Sequence, residues 1–333
     1  MRRELRVAVL GATGALGTEV LAVLSQSPLG VSELVPVATD RSLGQEIEFR
    51  GESVPVETVG PELPEADLVF LCTPPAATLA LARLALRAGV SCIDVSGTFA
   101  ASDDVPLAAM GLVLPPSAEA APLVATPSGP ALACALALAP LAARAGLPRV
   151  VAVGIEAASR GGRQGIESLY QESIAIFNQG EMPEPEVFGR PVAFDCIPAL
   201  GELGASGATE REELFARTLA RLLGRAPRVA ASLVQVPAFV GFGASLALET
   251  GRELDPKQAL EALAGAPGVE VWREDPSGLT LRAAAGRDAV LVGRVRRDPS
   301  CEAGLLLWLA CDVLRLAAAN AVQVALARVA PRH

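Results

Sequence analysis

The chain has 333 residues, 51% of them hydrophobic and 20% charged, and a net charge of −9. That length suits two domains and that composition a folded globular protein, while the acidic balance with dispersed arginines argues against nucleic acid as a partner. The only lysine is Lys257 and the only histidine is the terminal His333, so the side chains that most often move protons in enzymes are nearly missing.

The apolar stretches are broken by Gly, Pro or a charge before they reach membrane-spanning length, and no transmembrane helix is expected. The first residues run directly into a strand-like segment without a signal-peptide pattern, which leads to the expectation of a cytoplasmic protein. Six cysteines, Cys72, Cys92, Cys134, Cys196, Cys301 and Cys311, are scattered through apolar segments. They read as reduced, buried thiols. No metal site is expected, because there is no CxxC pair and no usable histidine.

In chain order, Val7–Leu10 reads as a buried strand, Gly11–Gly17 as a turn and Thr18–Leu24 as a helix, together a β-loop-α unit. Leu34–Ala38 is a second strand, followed by the polar turn Thr39-Asp40-Arg41-Ser42. Asp67–Cys72 is a third strand ending in Thr73-Pro-Pro75, Thr78–Ala88 has helical spacing and stops at Gly89, and Val90–Val95 is the next strand. Strands alternating with helices imply a Rossmann-like, doubly wound parallel sheet with ligands at the strands' carboxyl ends.

Beyond Pro127 the pattern changes. Ala131–Ala145 is a long Ala/Leu helix, followed by strand candidates at Arg149–Ile155, Val229–Pro237, Ala244–Leu248, Val269–Trp272 and Ala289–Arg294. The excess of strands over helices points to a second, α+β domain with a mixed or antiparallel sheet, of the kind that supplies a dimer face. Leu305–Val329 reads as helical throughout. The expected division is therefore residues 1–128, completed by a terminal helix over 303–330, and residues 129–302.

Gly11-Ala-Thr-Gly14-Ala-Leu-Gly17 is a GxxGxxG loop between a strand and a helix, where backbone can approach a pyrophosphate held at the helix N-terminus. A tight packing turn is the plainer reading of the same glycines. After the second strand, Thr39, Arg41 and Ser42 suit a 2′-phosphate and hence NADP, whereas Asp40 suits a free ribose hydroxyl and NAD. The balance favours NADP.

Taken together, these residues resemble the aspartate-semialdehyde dehydrogenase family almost end to end. The resemblance rests on the glycine loop, Ala38-Thr-Asp-Arg-Ser-Leu-Gly44, Ser159-Arg-Gly-Gly162 with Gly165, Ala193-Phe-Asp-Cys-Ile-Pro198, Gln235-Val-Pro237 with Gly241, and Asp312-Val-Leu-Arg315. It implies a glyceraldehyde-3-phosphate-dehydrogenase-like second domain, a homodimer and NADP (or NAD). It also implies cofactor contacts at Gly11, Thr13, Gly14, Ala15, Leu16, Gly17, Thr39, Arg41, Ser42, Thr73, Gly161 and Gly162. The family's reaction runs through a thioester on a cysteine, with a histidine handling protons and arginines holding substrate carboxylate and phosphate.

Those reacting positions are replaced here. The resemblance puts the nucleophile on Gly129, the base on Phe242, the two substrate arginines on Gln235 and Ala100, and the family glutamine on Glu156. In one register a family lysine and glutamate align with Glu213 and Arg217, and in the last helix Val313 and Leu316 stand where polar residues are usual. Ser128 has no histidine to activate it, Cys134 reads as a packing thiol, and Tyr170, beside Ser168, reads as a core or interface residue.

Glu156 and Glu213 would offer carboxylate acid/base chemistry if they shared a cleft, with pairing to arginine the favoured alternative. The sequence thus leads to a catalytically degenerate relative that keeps the fold, the dimer and a nucleotide. The alternative is an NAD(P)-dependent oxidoreductase acting on another aldehyde or oxo group without covalent catalysis.

Overall fold

A computed structural model describes residues 4–60, 63–224 and 227–329, so His333 lies outside the described residues. The chain forms two compact units, one running through Ser128 and resuming at Ala317, the other spanning Gly129–Leu316.

In the first unit, strand β1 (Leu5–Leu10) leads through the glycine loop into helix α1 (Ala15–Gln26) and strand β2 (Val31–Ala38). A hairpin of β3 (Glu46–Phe49) and β4 (Glu52–Pro55) and the short β5 (Glu57–Thr58) follow. Then come β6 (Leu68–Leu71), α2 (Pro75–Arg87), β7 (Ser91–Asp94), α3 (Ser117–Ala120) and β8 (Leu123–Ala125). The six-stranded sheet has the order β5-β2-β1-β6-β7-β8, and every pairing in it is parallel. Because β1 lies between β2 and β6, the order reverses there, and the crevice for a ligand opens at the carboxyl end of β1.

The alternation of β1 builds both cores of this unit. Val7 and Val9 face Val20, Leu21 and Leu24 of α1 together with Ala318, Ala321 and Ala325, whereas Ala8 and Leu10 face Leu81, Ala82 and Ala85 of α2. A strand buried on both faces must be apolar at every position, which is why these segments read as continuous hydrophobic runs.

The second unit opens with α4 (Gly129–Ala145) and β9 (Arg149–Glu156), then α5 (Gly162–Phe177), α6 (Glu210–Leu222), β10 (Arg228–Gln235) and β11 (Phe242–Glu249). It continues with α7 (Pro256–Ala264), β12 (Val269–Val271), α8 (Leu281–Ala284), β13 (Val290–Arg297) and β14 (Gly304–Cys311). The last helix, α9 (Val313–Val329), starts here and joins the first unit from Ala317 onward. The sheet order is β10-β9-β11-β14-β13-β12, parallel at its two outer pairs and antiparallel between.

The expectation that Leu305–Val329 is one helix is overturned. Gly304–Cys311 is strand β14, bonded to β11 on one side and β13 on the other, and the helix begins only at Val313. Leu305, Leu307 and Leu309 are buried while Leu306 and Trp308 are half-buried, the two-residue period of a strand. Two ladders satisfy the backbone of this segment, so tertiary pairing decides what its apolar sequence leaves open.

The sheet's two faces differ. On β9, Val150, Ala152, Gly154 and Glu156 are buried, whereas Val151 and Ile155 are half-buried and Val153 is exposed. Burial also corrects the reading of the cysteines. Cys72, Cys92, Cys134 and Cys311 are buried, but Cys196 is exposed and Cys301 half-buried. Among the described residues no helix is long and apolar enough to cross a membrane, and no cluster of three His, Cys, Asp or Glu side chains could hold a metal.

Candidate functional site

The glycine loop has the geometry of an anion cradle. Gly11 has φ +88°, and a Cβ there would stand 2.6 Å from the carbonyl oxygen of Cys72, so the turn passes too close to β6 for a side chain. A Cβ on Gly17 would run into the Gly11 carbonyl oxygen, which fixes α1 against the turn. Gly14 is exposed and caps α1 with no side-chain bond, and the first intrahelical bond runs from Thr18 N to Gly14 O. The N–H groups of Ala15, Leu16 and Gly17 precede that bond, and a helix start of this kind holds a phosphate well.

Around the loop, the hydroxyls of Thr13 and Ser42 are hydrogen-bonded at 3.0 Å, tying it to the turn after β2. Ser42 is buried by this contact, whereas Thr39 and Arg41 are exposed. Thr73 follows β6, and its hydroxyl bonds that of Thr78 at 2.8 Å. Thr78 and Ser96 approach at 3.4 Å, and the Ser96 hydroxyl donates to Asp94 Oδ1 at 2.7 Å. Burial pushes Asp94 up to about 6, against the lowering effect of bonds from Phe99 N and from Ser96. Of this hydroxyl chain, Thr73 was legible as a site residue from its position at a strand end.

In the second unit, the positions expected for nucleophile and base are closed by packing. Gly129 is buried at the start of α4; a Cβ there would collide with the carbonyl oxygen of Val313 and come within 2.6 Å of its Cβ. Phe242 begins β11, pairs with Glu156 and Cys311 in the ladders, and is 1% exposed. Its ring fills the space over Gly154, where a Cβ would be 3.0 Å from Phe242 Cε2.

The remaining expected residues are divided between the units. Gln235 is buried, its amide donating to Val236 O at 3.0 Å while Oε1 has no partner. In the first unit Ala100 is buried and Ser128 half-buried. Cys134 lies fully buried inside α4, its thiol pushed far above the usual range by desolvation. Tyr170 is exposed on α5 and so is no core residue, and Ser168 donates to Glu172 Oε1 at 2.9 Å.

Gly161 and Gly162 lead into α5. A Cβ at Gly161 would meet Val187 Cγ1 at 2.7 Å, a packing reason for glycine, whereas Gly162 has φ +66° and open space around it.

Glu156 is held by two guanidiniums. Arg160 Nε lies 3.2 Å and Arg211 Nη2 2.5 Å from its carboxylate oxygens. Arg211, 55 residues away in sequence, was missed. Its signal was the capping box Thr209-x-x-Glu212, which starts α6 and fixes which residues of its first turn face β9. Neither Glu213 nor Arg217 joins this cluster; both are exposed, and Glu213 accepts from Ser206 Oγ at 2.8 Å. The pairing of Glu156 with arginine, and not a shared carboxylate cleft, is what the fold forms.

A parallel sheet reversing order beside a glycine loop, followed by a mixed-sheet unit, is the architecture of two-domain dinucleotide-binding dehydrogenases. Residues 6–115 match the family described as "Semialdehyde dehydrogenase, NAD binding domain", and residues 138–316 match "Semialdehyde dehydrogenase, dimerisation domain". An aspartate-semialdehyde dehydrogenase of Rickettsia bellii (strain RML369-C) is 30% identical over 98% of both chains. A USG-1 protein homolog of Azotobacter vinelandii is 31% identical, again over 98% of both. The crystal structure of aspartate semialdehyde dehydrogenase II of Vibrio cholerae complexed with ASA superposes with a TM-score of 0.91 at 30% identity, covering 98% of this chain and 99% of that one. The chain belongs to the aspartate-semialdehyde dehydrogenase family.

Proposed function

We propose that this chain is a dimeric, NADP-binding member of its family that does not carry out the family's acyl-phosphate reduction. The observation that carries this reading is the packing at Gly129. No side chain fits there against Val313, so the position corresponding to the nucleophile holds no nucleophile and has no room for one. Phe242 supports the same reading, since a buried phenyl ring neither accepts nor donates a proton. Gln235 and Ala100 provide no positive charge for a substrate carboxylate or phosphate.

The nucleotide half of the reading is supported by the uncapped start of α1 and the glycine cradle before it. In this assignment the N–H groups of Ala15, Leu16 and Gly17 hold the pyrophosphate, Thr39, Arg41 and Ser42 surround the 2′-phosphate, and Thr73 borders the far end of the crevice. A bound nicotinamide would supply hydride capacity; the chain's own residues supply binding and orientation.

Calorimetric titration with NADP tests the assignment, with Gly14→Asp as the control. Gly14 already has the extended backbone of an N-cap, φ −74° and ψ 162°, so aspartate caps the helix and sets a negative charge against the phosphates. NADP binding by the unaltered chain, and its loss in Gly14→Asp with the melting temperature maintained, is the expected result. Absence of NADP binding by the unaltered chain contradicts it.

A further inference from the structure

Asp94 ends β7 in the first unit and is fully buried. Its Oδ2 accepts from Phe99 N at 2.8 Å, and its Oδ1 accepts from Ser96 N at 3.0 Å and from the Ser96 hydroxyl at 2.7 Å. The Ser96 hydroxyl is also 2.7 Å from that of Thr98, which is half-buried, so two short contacts lead from a buried carboxylate to a partly exposed side chain. Backbone donors of this kind ordinarily hold a carboxylate well below neutrality, yet here burial prevails and pushes Asp94 up to about 6. The titratable group facing it is the Cys72 thiol, just beyond β6, which burial and then Asp94 push up. Helix α2 and the end of β8 bring the hydroxyls of Thr78 and Thr126.

The sheet order β5-β2-β1-β6-β7-β8 divides at β1 into two mononucleotide halves. With the pyrophosphate at the glycine loop and the adenosine ribose at the turn after β2, the second nucleoside of a dinucleotide falls over the ends of β6 and β7, where Thr73 and the Ser96–Thr98 turn stand. Strand β7 is two places from β1, about 10 Å at ordinary strand spacing. Gly97 has φ +80°, and a Cβ there would be 2.9 Å from Ser128 N, so the turn lies against the residue that precedes the family's nucleophile position.

We propose that Asp94, Ser96 and Thr98 form a proton relay for the reduction of a small neutral aldehyde or ketone by direct hydride transfer, without a covalent intermediate. The inference rests on the NADP reading above; it differs from the family reaction in substrate, in intermediate and in the groups that move the proton. Thr98 gives its hydroxyl proton to the carbonyl oxygen as hydride from NADPH reaches the carbonyl carbon and the π electrons pass to that oxygen. Ser96 reprotonates Thr98, and Asp94 reprotonates Ser96. The products are the alcohol and NADP⁺, and the Asp94 carboxylate recovers its proton from solvent. The Ser96 hydroxyl can donate to Thr98 while accepting from protonated Asp94 and from Thr98 N, 3.3 Å away, since it has one proton and two lone pairs. A neutral substrate follows from Ala100, which is buried two residues on and brings no positive charge to this turn.

The test combines calorimetric titration with NADPH, NADPH consumption with propanal, benzaldehyde, acetone and cyclohexanone, and infrared titration of the nucleotide-free chain. Expected are NADPH binding and consumption with at least one of these carbonyls, kcat falling about tenfold per pH unit above about pH 6, where Asp94 loses its proton. Thr98→Val, which leaves the bonds to Asp94 in place, is expected to lower kcat about hundredfold or more with NADPH affinity unchanged. The nucleotide-free chain is expected to show a protonated-carboxyl band that fades with a midpoint of about 6 and is missing from Asp94→Asn. Binding without consumption, an unchanged kcat in Thr98→Val, a rate flat through pH 6, or a carboxyl band identical in Asp94→Asn overturns the relay alone. Absence of NADPH binding overturns the NADP reading and the relay with it. If Asp94→Asn does not fold, Thr98→Val and the pH profile decide.

Discussion

Gly129 and Val313 show how one contact governs what chemistry a position can hold. In a buried site a methyl group that meets a carbonyl oxygen must displace backbone, and such overpacking costs about 1–3 kcal/mol. Gly129→Ala is therefore expected to lower the melting temperature by several degrees, and Gly129→Cys by at least as much. Gly265→Ala is the matched control, since Gly265 has φ −93° and no atom within 4 Å of an added Cβ. Differential scanning calorimetry of the three variants checks this, and an unchanged transition in Gly129→Ala would contradict the packing argument. The absence of cysteine at 129 was legible in the sequence. The reason a cysteine has no room there was not, because Val313 is far along the chain and only the fold brings its carbonyl to the start of α4.

At the scale of elements, Arg50 joins a turn to a helix end. Arg50 and Gly51 form the two-residue link between β3 and β4 with φ +51° and +86°, the turn whose twist matches a tight hairpin. Its guanidinium donates to the carbonyls of Leu24, Ser25, Ser27 and Leu29, adding to the bonds that Ser27 N and Oγ make to the Leu24 carbonyl at the C-terminus of α1. Arg50→Asn keeps a residue that tolerates positive φ but removes these bonds. It is expected to cost about 1–3 kcal/mol in urea unfolding, and no loss would show that the cap carries nothing.

Elements differ in how plainly they can be read. The β-loop-α start was legible because its glycines fall between a short apolar run and a helical stripe, each with its own period. Strand β14 was not, since Leu305–Ala310 is apolar at every position and such a run does not tell a strand from a buried helix. One signal was there: Asp312, whose Oδ1 accepts from Arg315 N, is an N-cap and marks where the helix starts. The Glu156 cluster was half legible, with the carboxylate and Arg160 four residues apart on one segment but Arg211 supplied by a distant helix.

Across the whole molecule, the half-covered face of the second sheet is the feature that a single chain leaves unexplained. Val153 is 37% exposed at the middle of β9, and the ladder register sets it beside Ser245 and, one strand on, Trp308. A mid-sheet apolar face in a unit matching a dimerisation domain fits a second copy of the chain packed against it. Val153→Glu is expected to convert a dimer to a monomer in light scattering, and a monomeric unaltered chain would contradict the assembly.

On the proposed reading, the chain keeps its family's fold and nucleotide cradle while packing at Gly129 leaves no room for the family nucleophile. The most direct measurement is phosphate-dependent NADPH formation from aspartate semialdehyde by the purified chain. No formation above the protein-free rate is the expected result; turnover that depends on both phosphate and the chain would contradict the account.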